Sequence, residues 1–189
     1  MRMTVVDIET TNLSALMGRV LCASFYPIYN AEANKLRVKP KAYTLRADRA
    51  PYKVKGDLLD DTLLLEAIRD ELDKYNAIVT WNGKLFDIPF MNARLMRQGK
   101  RRIEPQFHID AMYYAGGCSA RIGSKKLVNV QKFLDLKGAK TELKWETWQR
   151  ASAGNKKAMN EVVEHCEADV EVTAEAYWYL LPAIKNVHR

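Results

Sequence analysis

The spacing of apolar and polar positions changes several times along the chain, and each segment predicts an element. Apolar-rich runs at residues 3–9 and 20–29, with a weaker one at 42–46, predict three strands. A short apolar run at 78–81 predicts a further buried strand, because the turn sequence NGKL follows it directly.

Helical spacing dominates most of the remaining chain. It predicts helices over residues 60–75, 87–98, 124–136 and 156–181. In the last of these, Val162, Cys166 and Val170 recur on one face and are expected to point into the core. Strands first, followed by strands mixed with helices, are typical of an α/β domain whose mixed β-sheet is flanked by helices.

Length and cysteine usage bound the class of protein. The 189 residues contain no repeat, low-complexity segment or linker, which predicts a single domain over residues 1–189. Cys22, Cys118 and Cys166 form no CxxC pair, which argues against a disulfide framework and a structural zinc site. The N-terminal segment is too poor in apolar residues for a signal peptide, and no stretch could span a membrane. We therefore expect a cytoplasmic protein without membrane association.

The balance of charge favours a polyanionic partner. The net charge is +7 and the isoelectric point is about 9.3. Part of this charge lies in two basic runs, the first formed by Arg97, Lys100, Arg101 and Arg102, and the second by Arg121, Lys125 and Lys126. Taken alone, each run is explained as well by a solvated loop or helix end as by contact with a polyanionic partner.

Two carboxylates lie on one face of the first predicted strand. Strand side chains alternate, so Asp7 and Glu9 in VVDIETT point the same way while Ile8 points into the core. Acidic residues are depleted in strands, and shared metal ions are one reason for two of them at a strand end. An exposed strand face is the alternative. Asp110, in FHIDAMYYA, is either a helix N-cap or a carboxylate that supports metal ligands.

Further candidate residues lie at or within predicted helices. Asp87 follows a buried strand and a tight turn, where it is either an N-cap or a functional carboxylate. Beside it, Asn82 and Phe86 offer an amide and an aromatic face, which suit a nucleotide with its base stacked. His165 and Asp169 are four residues apart and share a helix face, with a surface ion pair as the alternative.

Three motifs together resemble a known superfamily. DIETT, NGKLFDIPF and HCEADV, in this order and spacing, are similar to the DEDD superfamily of 3′–5′ exonucleases, which have the ribonuclease H-like fold. The segments HIDAMYYA and KKLVNVQKFLDLKG extend the similarity along nearly the whole chain. The branch it resembles most contains stand-alone domains related to the proofreading domain of family-B DNA polymerases.

The resemblance implies a role for each motif. Two divalent cations, Mg²⁺ or Mn²⁺, would be bound by Asp7, Glu9, Asp87 and Asp169. The terminal nucleotide would be held by Thr10, Asn82 and Phe86. His165 would orient or deprotonate the attacking water. The phosphates of the strand would be met by the basic side chains of Arg101, Arg102, Lys125 and Lys126.

His165 departs from the pattern of the superfamily. Members with a catalytic histidine usually have four residues between it and the last aspartate, whereas members with a catalytic tyrosine have three. This chain has a histidine, but only three residues lie between His165 and Asp169. Because imidazole is shorter than phenol, His165 is expected to act through a second water or only to orient the first. Glu164 is a less favoured substitute.

The expected activity is metal-dependent removal of nucleotides from the 3′ end of single-stranded nucleic acid, with DNA as the favoured substrate. One alternative is an exoribonuclease or oligonucleotide phosphodiesterase, because contacts to a 2′-OH depend on pocket geometry. A second is a non-catalytic nucleic-acid-binding domain on the same fold. The chain is expected to act alone or as a subunit supplied to a polymerase or another replication or repair protein.

Overall fold

Five strands form a mixed sheet in the computed structural model of the chain, which describes residues 1–28, 41–53, 60–117, 120–137 and 143–184. They are β1 (Met3–Thr10), β2 (Val20–Ile28), β3 (Tyr43–Arg46), β4 (Ala77–Thr80) and β5 (Phe107–Asp110). Their order is β3-β2-β1-β4-β5, with antiparallel pairing between β1 and β2 and between β2 and β3. β1, β4 and β5 are parallel. The predicted α/β class with a mixed sheet is confirmed.

Six helices and a 3₁₀ turn accompany the sheet in the described ranges. They are α1 (Thr62–Leu72), α2 (Asp87–Arg97), α3 (Ala111–Gly116), α4 (Leu127–Phe133), α5 (Trp145–Ser152), α6 (Lys156–Leu180) and the turn at Leu181–Ala183. None of these helices combines the length and the apolar character needed to cross a bilayer.

Apolar spacing does not predict β5, α3 or α5, and it predicts a longer α4. The four residues of β5 read FHID, and its two polar side chains are nevertheless buried. Thr80 Oγ1 and His108 Nε2 share a hydrogen bond of 2.9 Å, and Asp110 accepts backbone N–H groups from the turn after β4. Tertiary hydrogen bonds therefore bury both polar side chains of a strand that is too short for its alternation of apolar and polar residues to be a distinct signal.

The two faces of β1 pack against different helices. Val6 and Ile8 join a core that includes residues of α1 and α2. Val5 joins a second core that includes residues of α3 and α6. Asp7 and Glu9 alternate in step with Val5, so they point toward α6.

The carboxyl ends of β1, β4 and β5 meet at one edge of the sheet, because these strands run in the same direction. The turn after β4 and the first residues of α2 lie at the same edge. In open α/β sheets this is the edge at which ligands bind. It is also where the predicted acidic motifs are found.

Candidate active site

The end of β1 holds Asp7 and Glu9 against two helices. Trp148 in α5 donates its indole N–H to Glu9 Oε2 at 2.7 Å. Cys166 in α6 directs its thiol at Asp7, with Sγ 3.5 Å from both the backbone oxygen and Oδ2. Both carboxylates are half-buried, so neither lies on an exposed strand face.

Asp87 points from α2 toward β1. It is the first residue of α2, and the N-cap position is occupied by Phe86. Its Oδ1 accepts the backbone N–H of Ile8 at 3.1 Å, and the residue is only 3% exposed. The interpretation of Asp87 as a simple N-cap is therefore wrong.

His165 and Asp169 project from α6 toward the end of β1. Nε2 of His165 lies 3.7 Å from Glu9 Oε1 and 3.9 Å from Asp169 Oδ2. His165 is 8% exposed, which rules out the alternative of a surface ion pair. The shared helix face predicted from the spacing is confirmed.

The electrostatics show how closely the acidic groups converge. Burial raises the pKa of the Asp7 carboxyl well above its usual range. Its pKa is raised further by three neighbouring carboxylates, those of Asp87, Glu9 and Asp169. Burial, together with the nearby charge of Asp110, raises the pKa of Asp87 to about 7. Acidic side chains from β1, α2 and α6 therefore repel one another across one site.

The donor set suits a hard divalent cation. Potential ligand atoms of Asp7, Glu9 and Cys166 lie within 4.8 Å of one another. Burial raises the pKa of the Cys166 thiol well above its usual range, which keeps the thiol protonated and a poor ligand. The remaining ligands are carboxylate oxygens, which Mg²⁺ and Mn²⁺ prefer. A cation would also offset the repulsion among them.

Asp110 supports the turn that follows β4. It is the N-cap of α3 and accepts the backbone N–H of Met112 at 3.2 Å. Its two carboxylate oxygens also accept the backbone N–H groups of Asn82 at 2.9 Å and Lys84 at 3.0 Å. Asn82 has φ 68°, a left-handed conformation that Asn tolerates better than most residues. Asp110 thus serves as an N-cap and also fixes Asn82 at the edge of the site.

An apolar cleft of about 320 Å³ opens beside Glu9. Its lining includes Thr10 and Phe86, two of the residues predicted to hold a nucleotide. Leu13 and Trp145 also line it and are 82% and 55% exposed. The structure therefore brings two of the predicted nucleotide contacts together with exposed apolar side chains.

A second cleft of about 710 Å³ lies beside Asp7 and Asp169. Its lining includes Asn82, the third residue predicted to hold a nucleotide. Lys125 and Lys126 line the same cleft. The second basic run therefore reaches the acidic site.

Arg101 and Arg102 are not brought to either cleft. They precede β5, at the edge where the parallel strands begin, opposite the acidic site. Arg101 pairs with Asp73, and Arg102 Nη2 lies 2.9 Å from Glu104 Oε1. The tertiary arrangement thus separates the first basic run from the carboxylates that it was predicted to accompany.

Two residues of the site have no distinct signal in the sequence. The apolar spacing predicts Cys166 only as a core residue, and none of the motifs includes Trp148. Their contacts join positions separated by 159 and 139 residues along the chain. Only the packing of α5 and α6 on the sheet produces these contacts.

The metal-free protein is expected to lose stability as the pH rises from about 4 to about 8. The pKa of Asp87 is about 7 in the folded protein against 3.8 ordinarily, so the unfolded chain loses this proton at lower pH. The stabilisation is complete below the unfolded pKa and is lost as the pH passes the folded pKa. At 1.36 kcal/mol per pKa unit, it is on the order of a few kcal/mol.

Urea unfolding in EDTA at about pH 5 and about pH 8 measures this loss. Asp87→Asn is the control. Because an amide does not titrate in this range, the free energy of unfolding of this variant should depend less on pH. Equal pH dependence in the two proteins would contradict the prediction. Added Mg²⁺ is expected to restore stability at the higher pH.

The chain is similar to known proteins in family and in fold. The model of a family described as the RNase_H superfamily matches residues 4–181. The structure resembles that of the family B DNA polymerase from the hyperthermophilic archaeon Pyrobaculum calidifontis, with a TM-score of 0.70 and 15% sequence identity. That match covers 96% of this chain and 24% of the polymerase chain. No curated protein matches the sequence. The predicted ribonuclease H-like fold is confirmed.

Proposed function

Because the chain belongs to the RNase_H superfamily, we propose that it is a metal-dependent 3′–5′ exonuclease acting on single-stranded DNA. The observation that carries the proposal is the convergence of acidic side chains from β1, α2 and α6, close enough for three of them to raise the pKa of Asp7. Phosphodiester hydrolysis with two cations requires such a set of carboxylates from separate elements.

The side chains of the site have two roles, cation binding and activation of the attacking water. Two divalent cations would be held by Asp7, Glu9, Asp87 and Asp169. When bound, such cations lower the pKa of the attacking water and offset the charge on the leaving 3′ oxygen. His165 orients the water or accepts its proton through Nε2, which faces Glu9 and Asp169.

The two clefts give the substrate a path across the site. The terminal base stacks in the apolar cleft against Phe86 and the exposed Leu13, with Thr10 beside it. Base stacking on aromatic side chains is worth about 1–3 kcal/mol per base and tolerates any sequence. The preceding phosphates pass Asn82 and the basic side chains of the larger cleft. Unpaired bases are required by this path, which favours a single-stranded substrate.

Replacing Lys125 and Lys126 together by Ala is expected to weaken the salt dependence of substrate binding. The indole N–H of Trp81 donates to the backbone oxygen of Lys125 at 2.9 Å, which anchors this basic segment at the cleft. Each phosphate contact in a single strand contributes a slope of about −0.7 in log affinity against log salt concentration. Loss of two contacts should therefore reduce the slope by about 1.4.

The matched control for this measurement is the double replacement of Arg101 and Arg102 by Ala, which removes the same charge at the opposite edge of the sheet. Fluorescence anisotropy with a labelled oligonucleotide in EDTA, over a series of salt concentrations, gives both slopes. If the arginine variant has the flatter slope, the strand follows another path.

The proposed activity is tested with 5′-labelled single-stranded DNA and RNA of the same sequence. We expect a ladder of DNA products shortened stepwise from the 3′ end with Mg²⁺ or Mn²⁺, and no products in EDTA. Asp169→Asn, purified in the same way, controls for a contaminating nuclease. Faster cleavage of RNA would identify an exoribonuclease instead. Full activity in EDTA, or no cleavage of either strand with either cation, would overturn the proposal.

A further inference from the structure

Helix α5 contributes one side chain that contacts two residues of the site. One is Glu9, a predicted metal ligand, and the other is His165, which is predicted to act on the attacking water. Trp148 donates its indole N–H to Glu9 Oε2 at 2.7 Å. The Trp148 ring meets the His165 ring edge-on, with centroids 5.9 Å apart and an interplanar angle of 90°. The sequence pattern does not predict α5, so it gives no indication of this pair of contacts.

The hydrogen bond fixes the orientation of the Glu9 carboxylate. The distance of 2.7 Å is at the short end of the range for an N–H donor and an oxygen acceptor. The hydrogen bond ties Oε2 to α5 while Oε1 faces His165 Nε2 at 3.7 Å. A glutamate has several rotatable bonds, so a tether on one oxygen determines where the other oxygen points.

The Trp148 side chain is itself held in place by packing. Trp148 is half-buried and packs against a core in which Ala151 of α5 meets Met159 and Cys166 of α6. Thr147, the preceding residue, is also buried. The indole therefore has little freedom to follow a moving carboxylate, and the carboxylate adopts the position that the indole allows.

We infer that Trp148 is a positioning residue, which presents Glu9 to a divalent cation and restricts the imidazole of His165. The inference rests on the proposed function for the identity of the cation site. The indole contacts neither the reacting phosphate nor the attacking water in this scheme. It acts through Glu9, which would hold a cation, and through His165, which meets the attacking water, as outer hydrogen-bond partners of metal ligands do in other metal sites.

Trp148→Phe removes the N–H donor and keeps an aromatic ring against His165. We expect the affinity of the substrate-free protein for Mn²⁺, measured by electron paramagnetic resonance, to fall about 10- to 100-fold. Trp148 also lines the apolar cleft beside Glu9, and Phe keeps an aromatic ring there. At saturating Mn²⁺, kcat should therefore fall while KM for the oligonucleotide stays unchanged. Trp178→Phe, a half-exposed tryptophan on α6 away from both clefts, is the control and should match the wild type.

A Trp148→Phe protein with wild-type Mn²⁺ affinity and kcat would overturn the inference and leave the indole as packing alone. A fall in Tm without a change in Mn²⁺ affinity would do the same. The Mn²⁺ titration needs no nuclease activity. A wild type that binds Mn²⁺ but cleaves nothing would therefore defeat the proposed function while leaving the role of Trp148 to be decided by the titration.

A second measurement covers a Trp148→Phe protein that does not fold. The indole N–H resonance of Trp148 in the wild type can be assigned by elimination, using Phe variants at Trp81, Trp145 and Trp178. Adding Mg²⁺ should shift this resonance in the wild type, and the shift should be lost in Glu9→Ala. An indole resonance that does not respond to Mg²⁺ would overturn the inference.

Discussion

Asp87→Asn is expected to abolish nucleotide release while the metal-free protein remains folded and at least as stable as the wild type. In the wild type, Asp87 Oδ1 accepts the backbone N–H of Ile8 at 3.1 Å. The asparagine side chain keeps an oxygen that can accept the same N–H. It also removes a buried carboxyl whose pKa is raised to about 7. Loss of a cation ligand should cost at least the ~10²- to 10⁴-fold of a general base, because both water activation and leaving-group stabilisation suffer.

Rates on 5′-labelled DNA and urea unfolding in EDTA measure the two halves of this prediction. Asp73→Asn is the control, since it removes an exposed carboxylate that pairs with Arg101 at the opposite edge of the sheet. It should leave cleavage unchanged. An Asp87→Asn protein that unfolds would show that the contact with Ile8 is mainly structural, and one that cleaves normally would remove Asp87 from the site.

His165→Ala is expected to slow cleavage by about 10²- to 10⁴-fold and to leave Mn²⁺ affinity nearly intact. Nε2 of His165 lies 3.7 Å from Glu9 Oε1 and 3.9 Å from Asp169 Oδ2. The imidazole is therefore close to both carboxylates, while the cation ligands in this scheme are the carboxylate oxygens. Because the spacing to Asp169 matches the tyrosine type of the superfamily, His165→Tyr should retain more activity than His165→Ala.

Asp169→Ala separates the two roles, since it should reduce both the rate and the Mn²⁺ affinity. Single-turnover rates at saturating Mn²⁺, together with direct Mn²⁺ titration, distinguish the variants. A near-normal rate for His165→Ala would make the residue a neighbour of Asp169 without a chemical role. A collapse of Mn²⁺ affinity in His165→Ala would make it a ligand or a structural support.

The sequence predicts well those features that depend on the geometry of one element. Period two in a strand places Asp7 and Glu9 on one face, and period 3.6 in a helix places His165 beside Asp169. The long helix α6 follows the predicted span closely, because its apolar stripe persists over many turns. Short elements such as β5 escape prediction, since tertiary hydrogen bonds bury their polar residues.

The two basic runs show where local pattern stops being informative. Both look alike in the sequence, yet Lys125 and Lys126 line the cleft at Asp7 while Arg101 and Arg102 lie at the opposite edge of the sheet. The direction of the parallel strands decides this, because segments before a strand and segments after it reach opposite edges. Charge counts alone carry no such direction.

The sequence by itself determined the α/β class, the acidic motifs and the directions of their side chains within each element. Only the tertiary structure decided which groups meet: Asp87 with the backbone of Ile8, Trp148 with Glu9, and Asp110 with the turn at Asn82. The reason is physical. Backbone periodicity fixes where a side chain points relative to its own helix or strand, whereas contacts between distant segments depend on strand order and on how α5 and α6 pack against the sheet.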